Sequence, residues 1–153
     1  MKKFVAVLLA AMLCLSFAAC GGEKATDKTV DAAAMFKTLL TDVTYTDNAT
    51  ELDSSMAGVL LGGELPDGTE AYLAANDSAY LRCAVFACKD KDAAAAVKKL
   101  IQTYIDDSID AKYNVDEVAL LQNAKIHSMG SYVAVAVTSD TDNVNKVIDQ
   151  YFA

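Results

Sequence analysis

The second half of the chain changes its hydrophobic period in an order that leaves few possible folds. Segments 69–76 and 78–88 are rich in apolar and aromatic residues and have a tight polar connection, which predicts two hairpin strands. Segment 89–109 repeats apolar residues at helical spacing, and a second hairpin, 124–140, and a second helix, 141–152, follow it. Hairpins with helices between them favour an antiparallel sheet, so the pattern predicts an α+β fold. We expect a four-stranded sheet in ββα-ββα order, with its helices packed on one face.

The first half adds helices to this arrangement. Segment 31–43 has apolar residues at helical spacing, and 55–61 predicts a short helix that ends at two glycines. The stretch between them, 44–54, is polar and turn-rich. A weaker helical pattern occupies 115–122. The fold is therefore expected to begin with one or two N-terminal helices.

The N-terminus has the features of a secretory leader. Met1-Lys2-Lys3 is followed by an uncharged run, 4–19, with one polar residue. This run is shorter than the about 20 apolar residues that cross a bilayer, so it is typical of a signal peptide. A conventional signal peptide cleaved before Cys20 would place Phe17 at position −3, where small residues are preferred. An uncleaved anchor and a conventional secreted protein remain the alternatives.

Residues 17–20, Phe-Ala-Ala-Cys, resemble a bacterial lipobox, although Phe17 stands where leucine is usual. This resemblance implies that the thiol of Cys20 receives a diacylglycerol, with acyl chains such as palmitate, and that the chain is cut just before Cys20. Two acyl chains anchor a protein stably in a membrane. The predicted organisation is a leader at 1–19, a flexible tether at 20–29 and a single α+β domain at 30–153. The expected location is the outer face of the cytoplasmic membrane.

The net charge disfavours two classes of partner. The chain has 13 basic and 21 acidic residues, and removal of Lys2 and Lys3 gives a net charge of −10. Such a charge disfavours nucleic acid and anionic lipid head groups.

Of the four cysteines, only Cys83 and Cys88 lie in the expected domain. Five residues along one strand separate their Cα atoms by roughly 16 Å and put the side chains on opposite faces. Because a disulfide requires Cα atoms within about 7 Å, we expect two free, buried thiols.

No catalytic, metal or cofactor motif is found. His127 is the only histidine, and its pairing with Cys88 across the sheet would be the one candidate for nucleophilic catalysis. The acidic pairs Asp90/Asp92 and Asp140/Asp142 lie where helices are predicted to start, which favours capping over calcium binding. No glycine-rich phosphate loop is present. We therefore expect no cofactor and no enzyme activity.

One sheet face is a candidate binding surface. Strict alternation along the strands would direct a second set of side chains away from the helices, namely Tyr72, Tyr80, Arg82, Phe86, Tyr132 and Thr138. An open aromatic face built around Tyr72, Arg82, Phe86 and Tyr132 could bind an envelope protein or a glycan. The favoured alternative is that helix 31–43, which must bury its own apolar stripe, covers this face.

Several sequence patterns together resemble one family. Residues 51–57, 78–90, 123–140 and 144–152, including a strand that ends in Phe-Ala-Cys-Lys-Asp and a Gly-Ser-Tyr-Val strand start, are similar to DUF4358 proteins. These are small predicted lipoproteins of Gram-positive, clostridial-type bacteria. The resemblance covers about 32–153 and implies no known activity and no catalytic residues.

The sequence therefore predicts a lipid-anchored extracytoplasmic protein that acts as a binding or interaction module of the cell envelope. The alternatives are an envelope enzyme or redox protein that uses Cys88 and His127, and a purely structural spacer.

Overall fold

The structure is a computed structural model that describes residues 28–111 and 114–153. The predicted leader and most of the predicted tether, including Cys20, lie outside the described residues. The helices are α1 (Ala32–Asp42), α2 (Met56–Leu61), α3 (Lys91–Asp110), α4 (Val115–Asn123) and α5 (Thr141–Phe152). The strands are β1 (Thr50–Leu52), β2 (Glu70–Ala75), β3 (Leu81–Ala87), β4 (Lys125–Met129) and β5 (Tyr132–Ala136). None of the described helices combines the length and the apolar composition that a membrane span requires.

All strand pairs are antiparallel, and the sheet order is β1-β2-β3-β5-β4. The two predicted hairpins are present, and β3 and β5 join them at the centre of the sheet. The second hairpin turns at Gly130, as expected from the sequence. The α+β class is therefore confirmed.

The sheet has five strands, so the expectation of four was wrong. The additional strand, β1, has three residues and pairs with the open edge of β2, where Thr50 faces Ala75. It lies in the segment 44–54, which we interpreted as turns because its sequence is polar and shows no apolar alternation. In the structure its residues are mostly exposed. The neighbouring strand, rather than the pattern of β1 itself, produces this pairing. In addition, α4 lies between α3 and the second hairpin, so the helical connection has two parts.

Helices cover both faces of the sheet. The helices that follow the two hairpins, α3 and α5, were expected on one face but lie on opposite faces. The α3-side cluster joins buried residues of α2, α3 and α4 to Leu73, Phe86 and Val135 of the sheet. The α1-side cluster joins α1 and α5 to the opposite face, which includes Cys83 and Val85. Because every buried member of both clusters lies between Val30 and Ile148, a chain that begins at Gly21 keeps all the described packing.

A β-bulge at Arg82 explains why strict alternation failed along β3. Ala74 faces Cys83, but Ala75 faces Leu81, so Arg82 is the extra residue on the bulged strand. Leu81 therefore lies on the α3 side, whereas Cys83 lies on the α1 side. Phe86 lies on the α3 side with Leu81, which is the reverse of the prediction.

Local polar contacts start several helices. Asp31 and Asp90 accept hydrogen bonds from the backbone of the first turn of α1 and α3, and Asn114 does the same for α4. Asp140 precedes α5 but makes no such cap. Its Oδ2 instead accepts the backbone N–H of Thr44 at 2.9 Å, which ties the end of α1 to the start of α5.

The two ends of the described chain meet. The Nζ atom of Lys28 donates a hydrogen bond to the carbonyl oxygen of Ala153. Helices α1 and α5 are antiparallel, since Thr38 of α1 contacts Tyr151 near the end of α5. The opposite end of α1 reaches Thr138, whose Oγ1 donates to the carbonyl oxygen of Thr44 at 2.5 Å.

Candidate functional site

A groove of about 780 Å³ opens at one end of the sheet. One wall is α2, the second is the β2–β3 turn (residues 76–80), and the third is the C-terminal part of α3 at Tyr104, Asp107 and Ser108. Its volume lies within the range of about 300–1,000 Å³ that is usual for small-molecule sites.

The α2 wall is apolar because this short helix has hydrophobic residues on every side. Ala57 and Leu61 are buried against the α3-side cluster. Met56 and Val59 point away from the core and are 42% and 73% exposed. Both residues line the groove, together with Leu52 and Leu60. Exposed apolar side chains that are grouped beside a groove are typical of a binding surface.

Asn76 holds the turn that forms the second wall. Its Oδ1 accepts the backbone N–H groups of Ser78 and Tyr80 at 3.1 and 2.8 Å. Its own backbone carbonyl accepts the N–H of Ala79 at 2.9 Å. Ala79 has a φ of 61°, and it is the one non-glycine residue in the described ranges with a positive φ. The wall is therefore a hydrogen-bonded turn that keeps one residue in a strained left-handed conformation.

The second and third walls each contribute an acidic residue. The carboxylates of Asp77 and Asp107 line the groove from the turn and from α3, and both residues are exposed. Tyr104 accepts the N–H of Leu81 at 3.0 Å, and burial raises the pKa of its phenol. The described lining residues include no lysine, arginine or histidine.

A charged triad of Asp47, Arg82 and Glu117 lies behind the β2–β3 turn. Arg82 is 1% exposed and projects from the bulge. Its Nε and Nη2 donate to Asp47 at 2.6 and 2.9 Å, and Nη1 and Nη2 donate to Glu117 at 2.8 and 2.9 Å. Nη1 also donates to the carbonyl oxygen of Leu81 at 3.2 Å. Since a guanidinium has five N–H donors, Arg82 has none left for a ligand.

The triad connects the groove to the rest of the fold. Asp47 comes from the loop after α1, Arg82 from β3 and Glu117 from α4. The Nδ2 atom of Asn76 donates to Oδ2 of Asp47 at 2.7 Å, so the turn is attached to the triad. Hydrogen bonding by Arg82 lowers the pKa of Asp47 to about 2, which keeps this carboxylate charged. The triad therefore positions the groove wall and does not bind a ligand itself.

The predicted aromatic face is not one open surface. Arg82 and Phe86 are 1% and 0% exposed, and Phe86 faces α3. Tyr72 and Tyr132 lie on the other side, where α1 and α5 pack, and Tyr72 stacks near Phe36 of α1 with ring centroids 6.3 Å apart. Helix α1 packs on the side that holds Tyr72 and Tyr132, as the alternative expected for this part of the face, whereas the other helical layer covers Phe86.

Cys88 and His127 lie on opposite faces of the sheet. Cys88 belongs to the α3-side cluster, whereas His127 faces Ala134, a member of the α1-side cluster. They therefore do not form the pair considered from the sequence. Cys83 and Cys88 are free and buried on opposite faces, as expected. Burial raises the pKa of both thiols, to about 11 for Cys83, so thiolate nucleophiles are disfavoured.

Two further points concern metal binding and the residues around Arg82. Within residues 28–111 and 114–153, no group of three or more His, Cys, Asp or Glu side chains could hold a metal. Sequence analysis did not identify Asp47 or Glu117, because each is 35 residues from Arg82 in the chain. One signal was present: Arg82 is the only arginine, and it occurs within an apolar strand, where a charge requires buried partners.

One protein-family model matches part of the chain. A family model described as a domain of unknown function, DUF4358, matches residues 66–138. Over this stretch the chain belongs to the DUF4358 family. The DUF4358 match includes both hairpins, the β2–β3 turn, α3 and α4, with Arg82 and Glu117 of the triad. Helix α2, which supplies the apolar wall, precedes the DUF4358 match. No curated protein and no solved structure matches the chain.

Proposed function

We propose that this protein is a lipid-anchored binding module on the outer face of the cytoplasmic membrane, and that the groove is its binding site. The observation that carries the proposal is the combination of apolar and polar walls around a volume of ligand size. The separation of Cys88 from His127 supports binding rather than catalysis. The groove favours a small ligand over the envelope protein or glycan expected from the sequence.

The position of the groove fits an anchored protein. The tether would enter the domain at Lys28, before α1, which is about 16 Å long. The far end of α1 contacts Thr138, and the neighbouring Val137 N–H donates to the carbonyl oxygen of Arg82 at 2.7 Å. Arg82 follows the turn that lines the groove. The groove is therefore at the end of the domain opposite the tether, where a membrane would leave it accessible.

Binding can be tested by NMR with the chain expressed from Gly21, which keeps the described core. A library of small amphiphiles of positive, neutral and negative charge is added, and backbone amide shifts are mapped. We expect at least one compound to shift residues 76–80 and 104–108 in a saturable manner. A Leu60→Asn variant, which adds an uncharged polar group to the apolar wall, should weaken this binding. If no charge class produces saturable shifts at the groove, the proposed function is wrong.

A further inference from the structure

We infer that the ligand of the groove is a small cationic amphiphile, with an ammonium group and an apolar chain. This inference rests on the proposed binding function and adds the chemical class of the ligand. It follows from the positions of two carboxylates and four apolar side chains around the same groove.

The carboxylates define the charged end. Asp77 and Asp107 approach the groove from different walls, and the structure gives neither side chain a hydrogen bond or an ion pair within the described residues. No basic side chain occurs among the described lining residues to neutralise them. An ammonium group carries three N–H donors on one positive charge and can therefore contact carboxylates on two walls.

Asp77 and Asp107 have no basic partner among the described residues, unlike the two carboxylates of the triad. Asp47 and Glu117 also lie at this end of the domain, but Arg82 binds both of them. Asp47 additionally accepts from Asn76. Asp77 and Asp107 are thus the acidic groups of the groove that are free to bind a cation.

The apolar wall determines the other half of the ligand. Met56 and Val59 expose large hydrophobic surfaces to the groove, and Leu52 and Leu60 extend the same wall. Burying a hydrocarbon chain there removes apolar surface from water on both partners. A small inorganic cation would leave this surface exposed.

Anionic amphiphiles are disfavoured by the same arrangement. The carboxylate of a fatty acid would approach two negative charges at the groove, in a chain whose net charge is already −8. The charge of the head group, rather than the length of the hydrocarbon chain, should therefore decide which amphiphile binds.

Probes with the same hydrocarbon chain separate the effect of head-group charge from the effect of apolar burial. We would measure the binding of n-octylamine, n-octanol and n-octanoate to the chain from Gly21 at neutral pH by NMR titration. The three probes share a hydrocarbon chain and differ in charge. We expect n-octylamine to shift residues 76–80 and 104–108 and to bind about tenfold more tightly than n-octanoate. Asp77→Asn with Asp107→Asn should weaken n-octylamine binding about four- to twenty-five-fold, because each exposed pair contributes about two- to fivefold.

The control variant makes the same change in net charge at two positions outside the groove. Asp67→Asn with Asp149→Asn removes two exposed carboxylates that do not line the groove and should leave n-octylamine binding unchanged. Equal weakening by both double variants would show that net charge alone attracts the amine, and would overturn the inference. Binding of n-octanoate at the groove as tightly as n-octylamine would also overturn it, while leaving the proposed binding function intact. If neither these probes nor the library binds, both proposals fail.

Discussion

At the scale of single residues, Arg82 makes five side-chain hydrogen bonds to residues of the loop after α1, β3 and α4. Its guanidinium joins three segments, and Glu117, which it neutralises, has a side chain that is only 8% exposed. A buried ion pair of this kind contributes little net stability compared with apolar residues of similar size. Loss of one partner is different, because it leaves a buried charge without compensation.

We predict that Arg82→Met lowers the free energy of unfolding by about 3–5 kcal/mol, measured by urea denaturation. Removal of the buried charge as well, in Arg82→Met with Glu117→Leu, should recover a large part of this loss. Lys99→Met, which changes an exposed residue, should cost less than about 0.5 kcal/mol. If the double variant is no more stable than Arg82→Met, the buried carboxylate is not the cause of the instability.

His127 provides a pH-dependent test at the same scale. Burial lowers its pKa, and the positive charge of Lys125 lowers it further, whereas Asp149 opposes these effects. As the pH falls, His127 of the unfolded chain takes up a proton around pH 6.5, whereas His127 of the folded chain takes it up only at a lower pH. We therefore predict that the free energy of unfolding falls as the pH is lowered below about 6.5.

His127→Gln should flatten this dependence between pH 7.5 and 5.5, because the chain has no other histidine. The measurement is a series of urea denaturations across that range. A slope that persists in His127→Gln would assign the effect to other groups.

At the scale of elements, the β2–β3 turn holds one residue in a strained backbone conformation beside the groove. Ala79 occupies a left-handed conformation that glycine adopts without strain, and the hydrogen bonds of Asn76 hold it there. The turn therefore keeps its shape at the expense of some stability.

We predict that Ala79→Gly leaves the free energy of unfolding unchanged or raises it by up to about 1 kcal/mol, because relief of strain offsets the added entropy of the unfolded chain. Ser78→Gly, at the adjacent position with a negative φ, should lower it by about 0.5–1 kcal/mol. Thermal and urea denaturation of both variants check this contrast. Equal losses in the two variants would contradict the assignment of strain to Ala79.

The elements also show which parts of the fold can be predicted from sequence. Helix α5 has the bounds that its apolar spacing indicated, and the second hairpin turns at Gly130 as expected. Strand β1 could not be predicted, because its three residues pair with β2 and have no pattern of their own. The bulge at Arg82 was missed for a related reason. An extra residue is visible only when β3 is aligned with its partner β2, and the sequence of β3 alone does not show it.

The candidate site was less predictable than the fold. Its three walls come from segments around residues 56, 77 and 107, which only the tertiary structure brings together. Of the aromatic residues selected from the sequence, Phe86 is a core residue, and Tyr72 and Tyr132 are partly buried against the second helical layer.

At the scale of the whole molecule, the described chain begins at Lys28, at the end of the domain opposite the groove. We predict that Cys20→Ala moves the protein from the membrane fraction to the soluble fraction and prevents lipid labelling. Cys14→Ala is the matched control, because it changes a cysteine within the expected leader and should leave both properties unaltered. Fractionation and metabolic labelling with palmitate measure the outcome. Membrane retention of Cys20→Ala with normal processing would overturn the lipoprotein assignment.

The contact between Lys28 and Ala153 has a consequence for chain connectivity. Because the ends meet, a short linker can join them without crossing the fold, and new termini can be opened at the exposed turn near Gly130. Such a circular permutant would keep both helical layers and the groove while its order of synthesis changes. The order in which the elements follow one another is, in this architecture, separable from the arrangement that they form.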